Sequence, residues 1–136
     1  MAGYSGTPLL KKLGLAAGAV AFVSGEPKEY WDWLSPLPDN VSVKTRLTSG
    51  LNFVHLFVKS SSDYKKEVLK ASASIKPDGM IWISWPKKSS KVPTDLNENV
   101  IRDFALKNGL VDVKVCAVDE VWSGLKLVVP VKLRRK

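Results

Sequence analysis

Apolar positions along the chain switch repeatedly between helical and strand spacing. Leu9, Leu10 and Leu13 form one face of a short helix, with Thr7 as N-cap, Pro8 in the first helical position and Gly14 at its end. Ala19–Val23 is a short apolar run before Ser24-Gly25, as in a buried strand. Pro27 then opens a helix over Lys28–Leu34, with Tyr30, Trp31 and Leu34 on one side and Pro36 and Pro38 beyond its end. Val41, Val43 and Thr45 alternate with Ser42, Lys44 and Arg46, the pattern of a half-exposed strand. Phe53–Val58 is nearly all apolar and reads as a central strand. Ser62 or Asp63 is placed to cap a helix reaching about Ile75, and Pro77-Asp78-Gly79 signals a turn before a buried strand over Met80–Trp85. Beyond a lysine-rich loop from Pro86 to Pro93, Asp95 is expected to cap a helix with Glu98 completing a capping box. Val100, Ile101, Phe104 and Ala105 give that helix its core face, and Asn108-Gly109 ends it. Val111–Val121, a turn at Trp122-Ser123-Gly124 and Leu125–Leu133 then form a hairpin.

The order helix–β–α–β–β–α–β–α–β–β predicts a mostly parallel sheet covered by helices and closed by an antiparallel strand. The 136 residues show no repeat or linker, and residues 1–136 read as a single domain with a basic, frayed tail over 131–136. The apolar share of 45% and charged share of 25% are those of an ordinary globular protein. The only cysteine, Cys116, excludes an internal disulfide, and with a single histidine it leaves too few ligands for a zinc site of the usual types. The apolar stretch Leu13–Val23 holds Gly14 and Gly18, is far short of the roughly 20 residues a bilayer needs, and lacks a cleavage pattern. A cytoplasmic protein is therefore expected. Of the net charge of +8, four positive charges lie at Lys132, Arg134, Arg135 and Lys136. Such a tail can dock on nucleic acid or anionic lipid, or simply be solvated; no basic stripe interleaved with aromatics supports it elsewhere, and no membrane association is expected.

Several segments carry resemblances. The Leu13-Gly14 and Gly18 lead-in, Val54–Val58, Gly79–Pro86 and the closing hairpin resemble the second half of a class I S-adenosylmethionine methyltransferase, in which a Pro-Asp-Gly turn often precedes the fifth strand. The resemblance implies a truncated, Rossmann-like α/β fold, a mixed sheet flanked by helices. Gly3–Leu9, Trp85–Lys88 with Thr94–Leu96, and Gly109–Val129 also resemble a bacterial family of small proteins without an assigned activity. That likeness implies identity rather than mechanism.

A methyltransferase places a glycine-rich turn after its first strand, for close approach of the cofactor, and an acidic residue at the end of the second, for the ribose hydroxyls. Here the first turn is Ser24-Gly25-Glu26-Pro27, with one glycine and a proline that supplies no amide, and the second strand ends in Thr45-Arg46-Leu47. No cofactor is therefore expected, and with one histidine, one cysteine and no metal-spaced acids no metal is expected. No glycine-rich phosphate-binding motif occurs either.

In open α/β sheets ligands sit beyond the carboxyl ends of the strands. Ser24–Pro27, Ser84–Lys91 and Thr94-Asp95 should converge there. Lys87, Lys88 and Lys91 would bring positive charge, Thr94 and Asp95 would mark a helix N-terminus, and Trp85 could stack a flat ligand. The plainer reading is a solvated lysine loop beside a capping residue. Asp119 and Glu120 are expected to point to opposite faces of a strand, so they cannot act together; Asp119 suits an ion pair with Lys87 or Arg102. Ser123 has no base near it in sequence, His55 lies in a buried strand, and Cys116 reads as packing. No catalytic set is assembled. The sequence points first to a non-enzymatic module for an anionic small molecule or a protein partner. A diverged methyltransferase and a nucleic-acid-binding protein acting through the tail stand as alternatives.

Overall fold

The computed structural model describes residues 8–134. Its elements are α1 (Leu9–Leu13), β1 (Val20–Ser24), α2 (Tyr30–Trp33), β2 (Ser42–Lys44), β3 (Leu51–Phe57), α3 (Ser61–Ser74), β4 (Ile75–Pro86), α4 (Glu98–Lys107), β5 (Val111–Ala117) and β6 (Trp122–Val128), with short 3-10 turns at Lys88–Ser90 and Val131–Leu133. The six strands form one sheet in the order β2-β1-β3-β4-β6-β5. The first four run parallel, and β6 lies antiparallel between β4 and β5. The expected mixed α/β architecture is the one observed.

Two apolar layers explain the pattern. Along β3, Val54, Leu56 and Val58 face the layer under α3 and α4, while Phe53 and Phe57 face the layer under α1 and α2. On β4, Ile81, Ile83 and Trp85 join the first layer and Trp82 the second. A strand covered on both faces needs apolar side chains at every position, which is why these runs show no alternation. Polar ties fix the helices: the Tyr64 hydroxyl donates to Ile101 O at 2.7 Å, and Trp82 Nε1 donates to Leu13 O at 2.8 Å.

Several boundaries differ from the sequence expectation. The assignment of Thr7 lies outside the described residues; Pro8 is the N-cap of α1 rather than its first residue, and Gly14 ends that helix at φ 76°. Only 30–33 of the expected 28–34 helix are helical, and only 42–44 of the second strand pair, all three exposed at the sheet edge. Helix α3 is capped by Ser60, whose hydroxyl accepts from the Asp63 amide, because this serine holds the extended backbone a cap requires. Pro77-Asp78-Gly79 lies within β4 as an irregularity of register rather than forming a turn before it: pairing steps from Leu51–Ile75 to Phe53–Met80. Helix α4 begins after Asn97, whose side chain accepts from the Val100 amide at 2.9 Å.

The hairpin also turns earlier than expected. Asp119 Oδ1 accepts from the amides of Val121 and Trp122 at 2.9 and 2.7 Å, which closes the loop over 118–121. Trp122-Ser123-Gly124 therefore opens β6 instead of forming the turn. Arg102 pairs with Asp112 and Glu98, so the expected Asp119–Arg102 ion pair is not formed.

Candidate functional site

Chain order leaves a crevice at the carboxyl ends of the parallel strands. From β1 the chain moves outward to β2, then returns to the other side as β3, so β1 and β3 flank the topological switch point. Two separate cavities open at this end of the sheet.

The first lies at the switch point. It has a volume of about 420 Å³ and is walled by Gly25, Pro27, Phe57, Lys59, Asp63 and Glu67. Burial, then the neighbouring Asp63, pushes the Glu67 carboxyl up, while Lys66, the Ser24 hydroxyl and Lys70 hold it back. Gly25 sits at φ 74°, and a Cβ there would lie 2.5 Å from Phe57 O. Its glycine is thus required by the carbonyl of the adjacent strand.

The second cavity lies at the end of β4 and measures about 540 Å³. Trp85, Lys87, Lys88, Lys91 and Thr94, five of the six residues singled out from the sequence, line it together. The strand delivers Trp85 and Pro86, the 3-10 turn carries Lys88, and Lys91 ends that turn in the left-handed region at φ 62°. Thr94 Oγ1 donates to Lys59 O at 2.5 Å and accepts from the Leu96 amide, tying the loop to the end of β3. Trp85 is only 6% exposed, so it is floor rather than a platform for a stacked ring. Asn97 and Ser123 also line it; Ser123 lies in β6 rather than in the expected turn, and Asn97 is not among the residues the sequence singles out. The capping pattern three residues ahead of Val100 was the available signal for Asn97.

Asp95 is the exception among the six. Its Oδ1 accepts from the Ser61 amide at 2.7 Å, so the carboxylate caps α3 instead of α4. Glu98 does not close a capping box with Asp95 but pairs with Arg102 one turn along α4. The segment Ser24–Pro27 was expected to converge with the lysine loop, but Gly25 and Pro27 line the first cavity and the lysine loop the second.

Away from both cavities, His55 is fully buried with Tyr30 and Ser84. Its Nδ1 lies 2.9 Å from Tyr30 Oη and its Nε2 2.7 Å from Ser84 Oγ. Burial drives the imidazole down to about 3 and the Tyr30 phenol upward, the latter with a smaller push from Glu26. Cys116 is 8% exposed, and burial raises its thiol against the weaker pull of Lys12 and Lys114. Both fit the packing roles expected of them. Among the described residues, no cluster of three or more His, Cys, Asp or Glu side chains is arranged to hold a metal ion, and no helix is long and apolar enough to cross a membrane.

Solved structures similar to this chain include methyltransferases. A structure of the DhpI–SAH complex superposes with a TM-score of 0.64 at 9% identity, over 91% of this chain and 83% of that one. A SAM-dependent methyltransferase from Aquifex aeolicus gives 0.60 at 16% identity, over 90% and 88%. The magnesium protoporphyrin IX methyltransferase of Synechocystis PCC 6803 gives 0.58 at 11% identity, over 90% and 74%. The fold is that of the S-adenosylmethionine-dependent methyltransferases. No family model and no curated protein matches the chain.

Within this methyltransferase fold, the residues present do not fit an adenosyl cofactor. The single glycine after β1 faces a neighbouring carbonyl, Pro27 has no amide to offer, and Glu26 is engaged by Trp31 Nε1 at 3.2 Å. The end of β2 presents Lys44, Thr45 and Arg46, all exposed, where a ribose would require a carboxylate.

Proposed function

We propose that this chain is a methyltransferase-fold binding module, not a catalyst, and that it takes an anionic small molecule at the rim beyond β4. The observation carrying this reading is the convergence of Lys87, Lys88 and Lys91 on one cavity of about 540 Å³. Three ammonium groups gathered at a concave surface attract an anion more strongly than the same groups spread over open surface. Helix α4 begins beside the cavity, and its amino-terminal dipole adds to the attraction. The carboxylate in its first turn, Glu98, is paired with Arg102.

Thermal unfolding with a ligand panel tests the reading. Phosphate, sulfate or nucleotides should give a saturable rise in Tm, and changing Lys87 and Lys88 together to Ala should abolish it. If an anion stabilises the double variant as much as the parent, the rim is not the site.

Fold similarity favours a second reading, a diverged methyltransferase, because the similar structures act with S-adenosylmethionine or are complexed with its product. It requires the cofactor to be held without the usual strand-end residues. The same panel discriminates: a saturable shift with S-adenosylmethionine and S-adenosylhomocysteine, absent with simple anions, would replace the first reading with this one. No shift with either class would turn attention to a protein partner.

A further inference from the structure

The rim cavity has room, and a mixed lining, for more than an inorganic anion. A volume of about 540 Å³ falls within the roughly 300–1,000 Å³ of small-molecule sites. A water molecule occupies about 30 Å³, and a phosphate only a few times that, so a bound phosphate would leave room beside it for a further group. The lining is divided by chemistry. Lys87, Lys88 and Lys91 lie on and around the 3-10 turn, whereas Trp85, Val92 and Leu96 are apolar. Trp85 and Leu96 belong to the core beneath α3 and α4 and are 6% and 5% exposed. Their exposed atoms are therefore held by the packing of the whole layer, giving a preformed apolar floor beside the charged turn.

Lys91 adds a conformational observation. It holds φ 62°, ψ 9°, where glycine or asparagine is at home and a long side chain is disfavoured. A lysine kept in that conformation beside two others, on the wall of a cavity, is a candidate for binding rather than for stability.

We infer that the rim ligand is a phosphate monoester of a molecule with an apolar body, its head held by the three lysines and its body laid on Trp85, Val92 and Leu96. Three ammonium groups suit a phosphate dianion better than a single carboxylate. The inference rests on the anion-binding reading above and names the ligand class for that site.

Calorimetric titration with inorganic phosphate and with methyl, ethyl, propyl and butyl phosphate tests it. Affinity should rise about threefold to fourfold per added methylene, as expected for burying each one. Lys91→Gly should raise Tm while weakening every member by the same factor, leaving the dependence on chain length intact. If all members bind equally, the apolar floor is unused and the inference is overturned while the anion-binding rim stands. If neither phosphate nor any ester binds, the rim reading itself fails and the inference with it. Unchanged affinity in Lys91→Gly would remove Lys91 from the head site.

Discussion

Acidification should weaken this fold through one residue, His55. The imidazole is 0% exposed on β3, between the Tyr30 and Ser84 hydroxyls, with Phe53, Phe57 and Trp82 around it. Both hydroxyls can accept a hydrogen bond, so protonation is opposed by burial and not by a lack of acceptors. Burial holds the group at about 3 in the folded chain against an ordinary value of 6.5. The folded value is the lower one, so the unfolded chain binds more protons between the two. The contribution to stability is complete above pH 6.5 and is lost as pH falls toward 3, by up to about 1.4 kcal/mol per pH unit. Between pH 7 and 4.5 the loss is about 3 kcal/mol, a large part of the roughly 5–15 kcal/mol that stabilises a domain. Urea unfolding at a series of pH values, for the parent and for His55→Gln, isolates the effect. Glutamine keeps a donor and an acceptor but does not titrate, while the carboxylates common to both chains cancel in the comparison. The variant should be less stable at pH 7 and lose about 3 kcal/mol less than the parent on going to pH 4.5. Because the chain has one histidine, its imidazole NMR signals give an independent reading and should not titrate in the folded state above pH 4. Parallel loss of stability in the two chains, or a folded-state titration near 6.5, would refute the argument.

Gly25→Ala should destabilise the chain by roughly 2–4 kcal/mol in urea unfolding, because the new Cβ meets Phe57 O at 2.5 Å and alanine is strained at φ 74°. A cost below about 0.5 kcal/mol would mean that the turn after β1 is free to move. Asp95→Ala should cost about 1 kcal/mol through loss of its bond to the Ser61 amide, with hydrogen exchange accelerated at the start of α3 and not of α4. Faster exchange confined to α4 would restore the capping role read from the sequence.

The strand–helix order was legible because long apolar runs such as Phe53–Val58 and Met80–Trp85 have few alternatives to a strand covered on both faces. The lysine rim was legible for a related reason. Once β4 is placed, the residues that follow it must emerge at its carboxyl end. Caps were harder to read. Ser60, Ser62 and Asp63 are all good capping types, and Asp95 and Asn97 both precede Val100; which one serves depends on backbone angles set by packing. The hairpin turn was misplaced because Trp122-Ser123-Gly124 carries stronger turn chemistry than Val118–Val121. Gly124 instead answers to crowding: a Cβ there would lie 3.3 Å from Trp82 Cε3 and from Val118 Cγ2. A glycine demanded by close approach looks the same in sequence as one demanded by a turn.

Gly25 poses the same ambiguity in its functional form. Glycine at the end of β1 is what a cofactor-binding turn would contain, yet here the carbonyl of β3 already excludes a side chain. That crowding is enough to account for the glycine, so Gly25 does not by itself argue for an adenosyl ligand. The charge distribution points the same way. Where a ribose would require an acid, the end of β2 is basic, and the concave basic surface lies three strands away, beyond β4. Moving a binding site along the same sheet edge requires no change in strand order, because every parallel strand ends at that edge and each loop there can be rebuilt without disturbing the core.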